Sequence, residues 1–147
     1  MKETKGGFLI TQIKQIQGRV FDSLLQRAGI EEFNGAQGRI LYVLWQEDNL
    51  PIVELSRRTG LAKTTLTGML DRMEERGFLE RTADPRDRRT LRIVLTQKAR
   101  ALNQKYREVS DEMSDIFYEN FSGEEIDLFE GLLEKVLMNL VQKEKER

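Results

Sequence analysis

The sequence predicts a mainly α fold with one small β-hairpin (α+β), and three observations carry that prediction. Apolar residues recur at three- and four-residue spacing along most of the 147 residues. A tight turn at Thr59-Gly60 separates two short stretches of that kind. Between Phe78 and Leu95 alone the apolar period falls to two.

The first helix is expected over about 8–28, where Leu9, Ile13, Ile16, Val20 and Leu24 recur beside Ile10, Phe21 and Leu25. After a polar and glycine-rich break, Asn34 with Gln37 reads as a capping pair opening a second helix along Ile40, Leu41, Leu44 and Trp45. Gly38 inside that helix costs about 1 kcal/mol against alanine, so it marks close helix packing. Asn49-Leu50-Pro51 is a breaker, and Pro51 starts a short helix with Ile52, Val53 and Leu55 facing inward. That helix stops at Gly60. The next carries Leu66, Met69, Leu70 and Met73 at i, i+3, i+4, i+7 and stops at Gly77. Two helices joined by a glycine turn form a helix-turn-helix.

Phe78 to Thr82 and Leu91 to Leu95 then read as strands, with Leu91, Ile93 and Leu95 alternating against Arg92 and Val94. The loop Asp84-Pro85-Arg86-Asp87-Arg88-Arg89 between them makes this a hairpin with a basic tip, a wing over about 78–95. Thr96 caps a further long helix, and Ser122-Gly123-Glu124-Glu125 is a capping box that opens the last one, with Ile126, Phe129, Leu133, Val136, Leu137 and Leu140 on one side. The expected organisation is a single domain over 1–147: a winged helix-turn-helix lobe over 34–96, flanked by helical segments over 8–28 and 97–145.

Composition narrows the chemistry. With neither cysteine nor histidine there is no thiolate nucleophile, disulfide, redox thiol, imidazole base or histidine–cysteine zinc site. Carboxylates such as Asp111, Glu112 and Asp115, or Glu124 and Glu125, read as a solvated face rather than a magnesium site or an acid–base pair. No nucleophile with a base and no phosphate-cradling glycine loop is present, so an enzyme is not expected, nor a cofactor. No apolar run reaches the ~20 residues that cross a bilayer, and the start lacks a signal-peptide pattern, so a soluble cytoplasmic protein is expected, without a membrane partner.

The net charge of −1 hides an uneven distribution. Residues 57–100 hold twelve basic and six acidic groups, whereas residues 101–147 hold six basic and twelve acidic. A polyanion is drawn to the middle of the chain and repelled from its end.

Three local patterns extend the argument. Leu55-Ser56 through Thr59-Gly60-Leu61 leads into Lys63-Thr64-Thr65-Leu66-Thr67; Leu70-Asp71-Arg72-Met73 continues through Arg76-Gly77-Phe78-Leu79-Glu80-Arg81; and Asp84-Pro85-Arg86-Asp87-Arg88-Arg89 closes into Val94-Leu95-Thr96. Together these cover about a third of the chain and resemble the MarR family of winged-helix transcription regulators. The resemblance implies a sequence-specific DNA-binding regulator, a homodimer interlocked through its first and last helices. It further implies a repressor on a near-palindromic operator of double-stranded DNA, released by a small aromatic or anionic effector.

The residues themselves place the contacts. Lys63, Thr64, Thr65 and Thr67 lie at the groove-facing start of the recognition helix, with Arg72 farther along it; Ser56 and Arg57 on the preceding helix are placed for the phosphate backbone. Arg86, Arg88 and Arg89 form the wing tip, where arginine enters a narrow minor groove. The resemblance implies that Asp84 orients a wing arginine through a charge-assisted pair. Where many relatives have a long polar side chain, this sequence has Gly68, so that position reads no base. Phe21, Tyr42, Trp45 and Tyr106 read either as lining for an effector or as ordinary core aromatics. A winged-helix module that binds protein rather than DNA is the alternative, and the basic wing argues against it.

Overall fold

The structure is a computed structural model that describes residues 2–30 and 35–146. Asn34, the expected cap of the second helix, lies outside the described residues. The chain divides into two compact units, Met1–Met113 and Ser114–Arg147.

The first unit begins with α1 (Gly6–Arg27) and α2 (Gly35–Gln46). β1 (Leu50–Pro51), α3 (Ile52–Thr59), α4 (Lys63–Glu75), β2 (Leu79–Ala83) and β3 (Leu91–Leu95) follow. α5 (Gln97–Ala101) and the greater part of α6 (Asn103–Phe117) complete it. The core is formed by Ile40, Leu41 and Leu44 of α2, Leu55 of α3, Leu66, Leu70 and Met73 of α4, and Phe78, Leu79 and Ile93 of the wing base, all essentially without solvent contact.

Local chemistry sets the element ends. Gly60 has φ +75°, the left-handed conformation that glycine adopts without penalty, and it closes α3. At the end of α4 the Phe78 amide donates to the Met73 carbonyl at 3.0 Å and the Gly77 amide to Glu74 at 3.0 Å. These two bonds, with Met73 and Phe78 both buried, make a Schellman turn that swings the chain from helix into wing. The Thr96 hydroxyl oxygen accepts from the Ala99 amide and caps α5, as expected, but the long helix expected after it is interrupted at Leu102 and continues as the separate α6.

The strands form one antiparallel sheet in the order β1-β3-β2. β2 pairs with β3 from Leu79↔Leu95 out to Ala83↔Leu91; β1 adds Leu50↔Ile93 and Pro51↔Arg92. The third strand is a difference from the sequence reading, which took Asn49-Leu50-Pro51 only as a breaker. Two residues show no periodicity, and Pro51, lacking an N–H, is tolerated because β1 is an edge. Two inward assignments also change. Val53 is 62% exposed, because the inward stripe of α3 runs through Ile52, Leu55 and Thr59 at three- and four-residue spacing. Leu91 is in phase with Ile93 and Leu95 but lies out on the wing arm, 41% exposed.

In the second unit, the tail of α6 and α7 (Gly123–Lys145) are joined by a short turn. The expected capping box is present: the Ser122 hydroxyl accepts from the Glu125 amide at 3.1 Å and the Glu125 carboxylate from the Ser122 amide at 2.8 Å. Phe117, Tyr118, Phe121 and Phe129 pack with ring centroids 4.9 to 6.2 Å apart. Among the described residues no helix is long and apolar enough to cross a membrane.

Candidate nucleic-acid interface

The turn between α3 and α4 is held by two hydroxyls. Ser56 donates to the Leu61 carbonyl at 2.6 Å, and Thr59 donates to Leu55 at 2.8 Å while accepting from the Leu61 amide at 3.3 Å. With its proton engaged in the turn, the Ser56 hydroxyl keeps only acceptor lone pairs, so in this arrangement it has no donor for the phosphate contact expected of it.

α4 buries Leu66, Met69, Leu70 and Met73, so Lys63, Thr64, Thr65 and Thr67 face solvent together at its beginning, as the spacing requires. Ala62 stands at the N-cap and supplies no side-chain acceptor. The first-turn N–H groups, with the positive end of the helix dipole, stay available to an anion beside the Lys63 ammonium. The Thr67 hydroxyl donates to the Lys63 carbonyl at 2.8 Å, which leaves its oxygen as an acceptor and its methyl for apolar contact. A Cβ at Gly68 would meet nothing within 4 Å, so the surface there is open and bare. Arg72 is exposed one turn beyond Gly68.

Arg57 is exposed on α3 but shared with Glu54, which also holds Arg58 at 2.9 Å. The Arg57 and Arg58 guanidiniums push the Glu54 carboxyl down to about 2.

Two aspartates build the wing tip. Asp84 Oδ1 accepts from the Arg86 amide at 2.8 Å, and Asp87 Oδ1 from the Arg89 amide at 3.1 Å. The acids are turn-formers in successive Asx turns, which places them among the tip arginines. The side chains of Arg86, Arg88 and Arg89 project into solvent from this frame, Arg89 with Asp87 at 3.4 Å.

The arginine paired to Asp84 is Arg92 of β3. Its Nη1 lies 3.1 Å from Asp84 Oδ2, while Arg86 meets the same carboxylate through its backbone amide. These contacts hold the Asp84 carboxyl below the usual range, the Arg86 amide contributing most. Arg81 is likewise turned inward, with Nη1 on Asp71 and Nη2 on Glu74, each at 2.7 Å. The basic surplus of residues 57–100 is thus unevenly engaged. Arg81 and Arg92 brace the wing, and the tip arginines face outward.

Arg92, Asn49 and Asp48 escaped the sequence reading as parts of the site. Their contacts join residues more than forty positions apart, and no local pattern announces them.

Of the four aromatics, the structure brings three together. Phe21 stands edge-on to Tyr106 at 5.6 Å and Trp45 lies 5.0 Å from it, with the indole N–H donating to the Ala99 carbonyl at 3.0 Å. Tyr42 is 47% exposed. Burial drives the Tyr106 hydroxyl up to about 12.

The profile of the MarR family matches residues 33–91, which run from α2 through the wing tip to the start of β3. The chain is 34% identical over 100 residues to the HTH-type transcriptional regulator YsmB of Bacillus subtilis, covering 68% of each protein. It is 39% identical over 88 residues to the HTH-type transcriptional regulator TtmR of Methylorubrum extorquens, covering 60% of this chain but only 44% of that one. Among solved structures, a cysteine-to-serine mutant of MarR from E. coli complexed with operator DNA superposes with a TM-score of 0.80 at 28% identity, covering 89% of this chain and 92% of that one. The exposed start of α4 and the arginine-tipped hairpin are, on these grounds, a winged helix-turn-helix, and the chain belongs to the MarR family of DNA-binding transcription regulators.

Proposed function

We propose that the chain is a homodimeric repressor that grips a near-palindromic stretch of double-stranded DNA and lets go when a small aromatic or anionic molecule binds. One observation carries the DNA reading. The uncapped start of α4, exposing Lys63, Thr64, Thr65 and Thr67, and the outward tip Arg86, Arg88 and Arg89 offer two different grips from one lobe. Hydroxyls, methyls and a helix terminus suit major-groove edges and phosphates, whereas arginine on a slender hairpin suits the minor groove.

The dimer reading is supported by apolar surface that α1 and α7 each leave in water. Leu9, Ile13 and Ile16 are exposed on α1, and Leu132, Val136 and Leu140 on α7. Surface of that kind marks a partner, and a second copy supplies one by two-fold symmetry. Two recognition helices then enter successive major grooves ~34 Å apart. Repression follows physically, because a dimer seated across both grooves excludes other proteins from that stretch. The effector reading rests on the family likeness, with Phe21, Trp45 and Tyr106 as the aromatic cluster a ligand would disturb.

The test is selection of bound fragments from random-sequence duplex DNA, followed by a screen for compounds that release the best one. Failure to retard any DNA at low salt overturns the reading in favour of a protein-binding module. For the dimer, a truncation lacking Gly123 onward elutes as a monomer in gel filtration; elution of the full-length chain as a monomer rejects it.

A further inference from the structure

Arg92 is the outermost residue of β3 with a strand on both sides: Pro51 of β1 on one and Thr82 of β2 on the other. One residue farther out, Leu91 faces only Ala83, and the sheet has become a two-stranded ribbon. An isolated ribbon is weakly determined in direction, so whatever grips it at this step governs where the tip points.

The grip is supplied from outside the wing. Arg92 Nε donates to Asn49 Oδ1 at 2.9 Å and its Nη2 to the Asn49 carbonyl at 2.6 Å. On the other edge of the guanidinium, Nη1 donates to Asp84 Oδ2 at 3.1 Å, and Asp84 Oδ1 receives the Arg86 amide at 2.8 Å. Asn49 presents both oxygens to one fork from a left-handed backbone with φ 59°, a conformation asparagine tolerates better than most residues. Its neighbour Asp48 accepts from the Leu95 amide at 3.0 Å and pairs with Arg100 of α5 at 3.3 Å. Asp48 and Asn49, in the connection between α2 and β1, therefore hold β3 near both ends, one through the Leu95 backbone and the other through Arg92.

We propose that the Asp48–Asn49 turn aims the wing tip at DNA through Arg92, making Arg92 a positioning residue for Arg86 and not one of the charges presented to phosphate. The assignment rests on the reading of Arg86 as a groove contact. An arginine already donating at three points to protein oxygens, with its side chain 28% exposed, has little left for a phosphate, and the carboxylate it holds is the one that forms the tip turn.

The experiment measures binding of the full chain to a duplex that the protein itself selects from a random-sequence pool, at one salt concentration and then across a salt series. Arg92→Gln and Asn49→Gly, the latter keeping the left-handed backbone while removing the side-chain acceptor, are each made alone and combined with Arg86→Ala. Each single change weakens binding about fivefold or more, yet costs less than about twofold once Arg86 is alanine; Asn49→Gly leaves the salt slope unchanged. Equal losses in both backgrounds overturn the positioning role while leaving the Arg86 contact intact. So does a slope lowered by about one unit in Arg92→Gln beside a neutral Asn49→Gly, which makes Arg92 a phosphate contact. A neutral Arg86→Ala removes the groove reading and the inference with it. If Arg92→Gln fails to fold, shown by thermal unfolding, the Asn49→Gly pair carries the test alone.

Discussion

Tyr106 and Gly38 are packed so closely that a Cβ built at position 38 would lie 2.5 Å from the tyrosine hydroxyl oxygen and 2.8 Å from Cζ. The contact joins α6 to α2, and Phe21 and Trp45 flank the same ring. Gly38→Ala is therefore destabilising by about 1–3 kcal/mol through overpacking, although alanine is the better helix former. Urea unfolding measures it. In a Tyr106→Ala background the same change costs far less, and an unaltered midpoint in the parent chain would remove the packing role.

Arg86 stands outward from a turn built by Asp84 and Asp87. Arg86→Ala weakens binding to the selected duplex by about 1–3 kcal/mol at fixed salt, with no change in thermal midpoint. Unchanged affinity would mean that the tip does not reach a groove.

Lys63 opens the uncapped end of α4. Lys63→Gln lowers the slope of log K against log salt by about one unit, while the order of preference among duplexes holds. A reordered preference would assign Lys63 to a base instead.

The open surface at Gly68 gives a prediction with two parts. Gly68→Ala meets no neighbour within 4 Å and raises stability by up to about 1 kcal/mol through helix propensity. Gly68→Gln adds a side chain able to bond a base edge, and repeated duplex selection then returns a changed sequence at the positions it reaches.

The Asp84 carboxyl is held below its usual range, first by the Arg86 amide and then by Arg92. A carboxyl lowered in the folded state stabilises the fold above its unfolded value, here 3.8, and loses that contribution as pH falls through the lowered value. Asp84→Asn consequently unfolds more easily than the parent at pH 7. The gap narrows as pH is lowered past 3.8, and a gap that stays constant into acid would show that Asp84 acts through shape alone.

The sequence by itself determined most of the helices, several of their ends and the hairpin, though not the break at Leu102 that separates α5 from α6. Each depends on contacts within about a turn: the Ser122–Glu125 capping box, Thr96 over Ala99, the left-handed Gly60, and the inward stripe from Leu66 to Met73. It also placed the charged middle of the chain and the outward face of α4, because helical spacing alone puts Lys63, Thr64 and Thr67 opposite Leu66 and Leu70. Only the tertiary structure decided which arginines are available to DNA. Arg81 and Arg92 read in sequence like their neighbours, yet one is held by α4 and the other by a turn 43 residues away. The same holds for β1, for the outward Val53, and for the indole of Trp45, whose acceptor on Ala99 lies 54 residues along the chain. Such partners meet only after loops of that length have closed on a packed core, and spacing along the chain carries no record of which groups the closure brings together.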